Sequence, residues 1–128
     1  MNEKRIKPTE AELDILALLW DLGPSSVRII NDELNKIRRV GYTTTLKQLQ
    51  IMHEKHLVSR ISDGRTHIYT ASRGKEETQN QLLDRLMDAA FGGSASKLVM
   101  QALGNHKSSK KELEEIKALI KKLEEDRS

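Results

Sequence analysis

Apolar residues recur at helical spacing in six stretches of this chain, interrupted once by a stretch that alternates. The first helix begins at Thr9, which stands at capping-box distance from Glu12, with Pro8 just ahead of it. Leu13, Leu16, Ala17 and Trp20 form its apolar stripe, and Ile15, Leu18, Leu19 and Leu22 widen it, so the spacing predicts a central helix. Gly23-Pro24 ends it. Ser25 or Ser26 then caps a second helix, with Val27, Ile30, Leu34 and Ile37 facing inward and Arg28, Asn31, Asp32 and Asn35 outward. Arg38, Arg39 and Gly41 mark the break before the third helix.

The third helix reads from Tyr42 to Val58, "YTTTLKQLQIMHEKHLV", and has two different faces. At about 100° per residue, Thr45, Leu46, Leu49, Met52, His53 and His56 share one side, suited to burial. Thr44, Lys47, Gln48, Ile51 and Lys55 share the other, and their hydroxyl, ammonium and amide groups are the kinds that meet base edges and phosphates in a major groove. Thr43 is expected to cap this helix and to lie, with Thr44, at the end that approaches bases. Beyond it, "LVSRISDGRTHIYTA" alternates on either side of Asp63-Gly64, which predicts a two-stranded hairpin with Arg65 at its tip. Three helices followed by such a hairpin make a winged helix-turn-helix.

Ser72-Arg73-Gly74 reads as a joint, and the pattern after it is entirely helical. Leu82, Leu83, Leu86, Met87 and Ala90 mark a fourth helix, broken by Phe91-Gly92-Gly93-Ser94. Leu98, Val99, Ala102 and Leu103 mark a short fifth helix, expected to end at Gly104-Asn105-His106. Ser109 and Glu112 form a second capping box for a last helix in which Leu113, Ile116, Ile120 and Leu123 make a seam. So small a helical part has too little apolar material to fold compactly alone, and pairing two copies would supply the missing core. The expected organisation is mainly α: a winged-helix DNA-binding domain at 1–72 and a helical dimerisation domain at 73–128, with Leu82, Leu86 and Leu98 joining the seam residues in the interface.

Composition narrows the function classes. Residues 1–71 carry 11 Lys+Arg against 9 Asp+Glu, and residues 72–128 carry 11 against 10, so placement rather than excess of charge matters. Arg28, Arg38, Arg39, Lys47, Lys55 and Arg65 gather around the proposed DNA face, with phosphate contact assigned to Arg38, Arg39 and Arg65. The chain has no cysteine, which excludes disulfides and thiolate metal sites. No apolar run reaches the length of a membrane span and the first residues do not resemble a secretion signal, so a cytoplasmic protein without membrane insertion is expected. The "HEKH" of His53–His56 has i, i+3 spacing where a zinc-protease motif needs i, i+4, so neither a metal nor any other cofactor is expected. There is no cysteine nucleophile, no Gly-rich phosphate loop and no ligand or carboxylate constellation to support an enzyme.

These residues are similar to those of the penicillinase-repressor family of bacterial transcription regulators. The resemblance is carried by "PTEAELDILALLWDLGPSSVRIINDEL", "YTTTLKQLQIMHEKHLV", "DGRTHIYTA", "FGGSASKLVMQAL" and "SSKKELEEIKALIKKL", which span nearly the whole chain. It implies a homodimer that binds a palindromic double-stranded DNA operator. In one branch it also implies release when a membrane-bound sensor protease cuts the fifth helix, which here corresponds to Gln101 and Ala102. Three departures accompany it. The clustered cysteines of copper-responsive relatives are absent. "LVMQAL" replaces the branch's Leu-Val-Leu run and Asn-Phe bond. Leu46 and Ile51 stand where the family often has charge.

The polar face of the third helix also fits an ordinary solvated surface, and a winged-helix protein-interaction module without DNA binding is the competing reading. Lys47, Lys55 and Arg65 favour DNA, because interaction modules of this shape usually lack basic groups there.

Overall fold

Thr9 caps α1 (Glu10–Leu22) as its spacing predicts: its hydroxyl accepts from the Glu12 N–H at 3.2 Å, and its own N–H donates to Glu12 Oε1 at 2.9 Å. The structure, a computed structural model, describes residues 8–127. The buried side of α1 is Glu12, Ile15, Leu16 and Leu19, with Leu13, Leu18 and Trp20 packed at its edges. Ala17 and Leu22, placed in the stripe by the sequence pattern, are exposed. A helix apolar on most sides leaves its orientation to its neighbours, and these select the Ile15–Leu19 side. Gly23, at φ 81°, closes the helix by donating to the Leu19 carbonyl. Ser26 caps α2 (Val27–Leu34), accepting from the Ile29 N–H at 3.3 Å. This helix ends before Ile37, which is exposed rather than inward-facing.

α3 (Tyr42–Glu54) is followed by β2 (Val58–Asp63) and β3 (Thr66–Ala71), antiparallel and in register from Val58↔Ala71 to Asp63↔Thr66. Gly64 and Arg65 are the two loop residues, and Gly64 takes φ 68°, the positive value that a tight two-residue hairpin demands at its first position. A third strand joins them: β1 (Ser25–Ser26) pairs with β3 through Ser25↔Tyr69 and Ser26↔Ile68, giving the order β1-β3-β2. Two residues carry no periodicity, so this strand has no signature in the sequence. Ile15, Leu16, Leu19, Val27, Ile30, Leu34, Leu49, Met52, Val58 and Tyr69 form the core shared by these elements. Each such side chain contributes about 1.5–3 kcal/mol on burial. Three helices and a hairpin around one core constitute the winged helix-turn-helix that the pattern predicts.

The chain continues through α4 (Lys75–Ala90), α5 (Ala95–Asn105) and α6 (Lys110–Asp126), so the molecule is mainly helical. One compact unit ends at Leu82, inside α4, and a second begins at Leu83. The first unit retains the start of α4: the Trp20 indole N–H donates to the Arg73 carbonyl at 3.0 Å, and Thr78 is buried. In the second unit Gly92 and Gly93 both take positive φ, and the Gly93 N–H donates to the Met87 carbonyl as α4 ends. α5 runs through Gly104 instead of stopping there. The Ser109–Glu112 capping box of α6 forms as predicted, with both bonds at 3.0 Å. Neither α5 nor α6 contains a buried residue.

Candidate nucleic-acid interface

The orientation of α3 is fixed from beneath. Thr45, Leu49 and Met52 are its buried residues, and the Thr45 hydroxyl accepts from Asn31 Nδ2 at 2.8 Å, joining α2 to α3. The turn between these helices is held by two asparagines. Asn31 Nδ2 donates to the Val40 carbonyl at 3.1 Å. Asn35 Nδ2 donates to the same carbonyl at 2.8 Å, and Asn35 Oδ1 accepts from the Val40 N–H at 3.2 Å. The pattern placed both asparagines simply outward; their i, i+4 spacing ahead of a short loop was the available signal. The cap expected from Thr43 is not made. Gly41 is the N-cap residue, without a side-chain bond, and Thr43 lies exposed in the first turn.

α3 is also shorter than its sequence suggested. Lys55 ends it, and His56 adopts φ 65°. The Leu57 N–H then reaches back to the Met52 carbonyl at 2.9 Å and the His56 N–H to the His53 carbonyl at 3.1 Å, a Schellman closure with histidine at the left-handed position usually given to glycine. His56 is therefore exposed beyond the helix, not on its buried side, while His53 is half-buried within it. Among the described residues no three His, Asp or Glu side chains converge as a metal site.

Glu12 divides the polar side chains of α3 into two sets. Its carboxylate, 1% exposed, accepts from Lys55 Nζ at 2.9 Å and 3.0 Å and, at a longer 3.5 Å, from Gln48 Nε2. Lys55 and Gln48 are thus drawn toward α1. Thr43, Thr44, Lys47 and Ile51 are exposed, together with Tyr42 and Gln50, which the sequence reading did not single out. The signal for those two was present: once Thr45, Leu49 and Met52 set the buried centre, the opposite side of a helix falls nearer Lys47 and Gln50 than Gln48.

Around this face, Arg38 is ion-paired with Asp14, Arg39 is exposed, and Arg65 is exposed at the hairpin turn. A groove of about 480 Å³ runs between α3, the start of α2 and the hairpin tip, and its lining includes Arg28, Tyr42, Gln50, Arg65 and His67. A protruding helix with hydroxyl, ammonium and amide groups, beside a groove with two guanidinium-bearing residues, has the chemistry to meet base edges and phosphates together.

In the second unit, Leu98 and Ile116 are half-exposed, and Leu86, Leu113, Ile120 and Leu123 are exposed. Leu82, at the end of the first unit, is half-buried. Gln101 and Ala102 are exposed within α5. No helix among the described residues is long and apolar enough to cross a membrane.

Comparison with known proteins gives consistent results. Residues 8–122 match the family described as "Penicillinase repressor". A penicillinase repressor of Staphylococcus aureus is 20% identical over 120 residues, covering 94% of this chain and 95% of that protein. The transcriptional regulator BlaI of Mycobacterium tuberculosis (strain CDC 1551 / Oshkosh) is 32% identical over 87 residues, covering 66% of this chain and 63% of that protein. In fold, the chain is similar to a MarR family protein from Bacillus stearothermophilus, with a TM-score of 0.52 at 17% identity over 96% of this chain and 77% of the other.

Proposed function

The chain belongs to the penicillinase repressor family and is a transcription regulator, and from that premise we propose that it acts in the cytoplasm as a homodimeric repressor on a palindromic double-stranded DNA operator. Residues 1–72 read the DNA and residues 73–128 pair the two copies. Thr43, Thr44, Lys47, Gln48 and Ile51 meet the bases, while Arg38, Arg39, Lys55 and Arg65 serve the backbone. Arg38 would first have to leave Asp14, and Lys55 and Gln48 would have to leave Glu12. Two copies of α3 related by two-fold symmetry would address two half-sites. Release by a membrane-bound sensor protease cutting between Gln101 and Ala102 completes the reading; both residues are exposed.

The observation that carries the proposal is the uncovered apolar side of the second unit. Val99, Leu113, Leu119, Ile120 and Leu123 are each at least 40% exposed, although they recur on helices where a core would normally cover them. A second copy of the same seam provides that cover, and the paired units then hold two winged helices at one operator. Sedimentation tests the pairing: the wild type is expected to be a dimer at micromolar concentration, and Ile116→Lys with Ile120→Lys a monomer, since each lysine would place charge in the apolar contact. A monomeric wild type at tens of micromolar would overturn the dimer. Lys47→Ala is expected to weaken specific binding by about 1–3 kcal/mol if the lysine reads a base, and Arg65→Ala to weaken all sequences alike with a shallower salt dependence.

A further inference from the structure

We infer that Gln50, together with Ile51, selects an A·T base pair in each half-site; this rests on the proposed reading of α3 as the helix that enters the major groove. The exposed polar side chains of α3 are not equivalent. Gln48 directs its amide to Glu12 at 3.5 Å, on the side where Lys55 is also held. Gln50 is exposed, and its amide makes no side-chain hydrogen bond to another described residue. It projects at the groove whose walls carry Arg28 from the start of α2 and Arg65 from the hairpin turn. Those two guanidinium groups reach the groove from separate elements, so a phosphodiester lying between α3 and the hairpin would be met from both sides. Phosphate contacts of that kind fix the register of a helix on the duplex without reading sequence.

With the register fixed, Gln50 and Ile51 face the base edges. An unpaired glutamine amide matches the N6 donor and N7 acceptor of adenine in the major groove, forming two bonds to one base. Ile51, the next residue, is also exposed, at 37%, and has only apolar surface to offer. On a major-groove edge the apolar group is the C5-methyl of thymine. Gln50 and Ile51, exposed about 100° apart across the outward half of α3, therefore match between them two of the features by which A·T differs from G·C. Lys47 is better matched to guanine O6 and N7, so the two parts of the face read different bases.

Selection of bound duplexes from a random pool by the full-length chain tests this. The wild type is expected to enrich half-sites with at least one fixed A·T position. Gln50→Ala should relax that position alone, with discrimination falling about 5- to 100-fold, and should leave the salt dependence of binding unchanged. Gln50→Glu should redirect the same position toward cytosine, whose N4 donates to a carboxylate. Both substitutions at Gln50 lie on an exposed helix surface and keep a helix-forming residue, and circular dichroism confirms the fold before binding is read. If Gln50→Ala kept the full preference at every position, or if the relaxed position did not favour A·T in the wild type, this inference would be wrong while the DNA-reading role of α3 stood. A wild type that enriched no sequence would overturn both.

Discussion

At the scale of single residues, Glu12 has two roles that the sequence separates by more than forty positions. It completes the α1 capping box and also holds Lys55 at the far end of α3. The pair is unequal: Glu12 is 1% exposed, whereas the Lys55 side chain is 34% exposed. Removing the lysine strands a buried carboxylate, while neutralising the carboxylate leaves an ammonium that can turn to water. Lys55→Met is therefore expected to destabilise the protein by about 2–4 kcal/mol, and Glu12→Gln by only about 1 kcal/mol, since the amide oxygen still accepts from the Thr9 N–H. Urea unfolding of both variants checks the order; an equal or reversed order would show that the charge is not confined as the geometry indicates. His56 offers the opposite case. Its φ of 65° burdens a side chain with a conformation suited to glycine. His56→Gly should stabilise by about 0.5–1 kcal/mol, the relief of the left-handed strain exceeding the added freedom of the unfolded chain. A higher midpoint in thermal unfolding would bear this out, and a lower one would mean that the histidine ring packs usefully where it stands.

At the scale of elements, the turn before α3 depends on side chains more than on turn residues. Residues 35–41 contain one glycine, and Val40 is fixed through both its N–H and its C=O by Asn31 and Asn35. Asn35→Ala removes the bonds at both ends of Val40 that this residue makes. Because Asn35 is exposed and water can replace part of the loss, the cost in stability should be about 1 kcal/mol. The local effect should be larger than the global one: hydrogen exchange at the Val40 amide is expected to accelerate while amides in the middle of α1 change little. Unaltered protection at Val40 would argue that the Asn35 bond to its N–H does not hold the turn. The hairpin shows the converse, a turn set by one residue, since Gly64 supplies the positive φ and the strand register follows from it.

At the scale of the whole molecule, the two compact units differ in what they can do alone. The first has an aliphatic core closed by Tyr69, and α5 and α6 of the second bury nothing in the single chain. If pairing of that second part supplies the missing core, its loss should act on DNA binding without touching any base-reading residue. Residues 1–101, expressed as a truncated chain, are then expected to sediment as a monomer and to bind a two-half-site operator more weakly by a factor on the order of 10² to 10⁴, the advantage of a linked second site. A truncated chain that still pairs and binds as tightly as the full one would exclude cleavage at Gln101–Ala102 as the means of release.

The sequence by itself determined the local features whose physics is complete within a few residues. Both capping boxes, the hairpin at Asp63-Gly64 and the helical character of the C-terminal part depend on neighbours three or four positions away. The winged helix followed from the order of those elements. The tertiary structure decided what depends on distant partners. The pattern put Ala17 and Leu22 in the apolar stripe of α1, and only packing chose Ile15, Leu16 and Leu19 for its buried side. β1 exists because β3 has an edge for Ser25 and Ser26 to pair with. The polar face of α3 was legible as a face, but its division was not. Burial of Glu12 draws Gln48 and Lys55 toward α1 and leaves Lys47 and Gln50 exposed, because a carboxylate removed from water must recruit donors from whatever helix lies beside it.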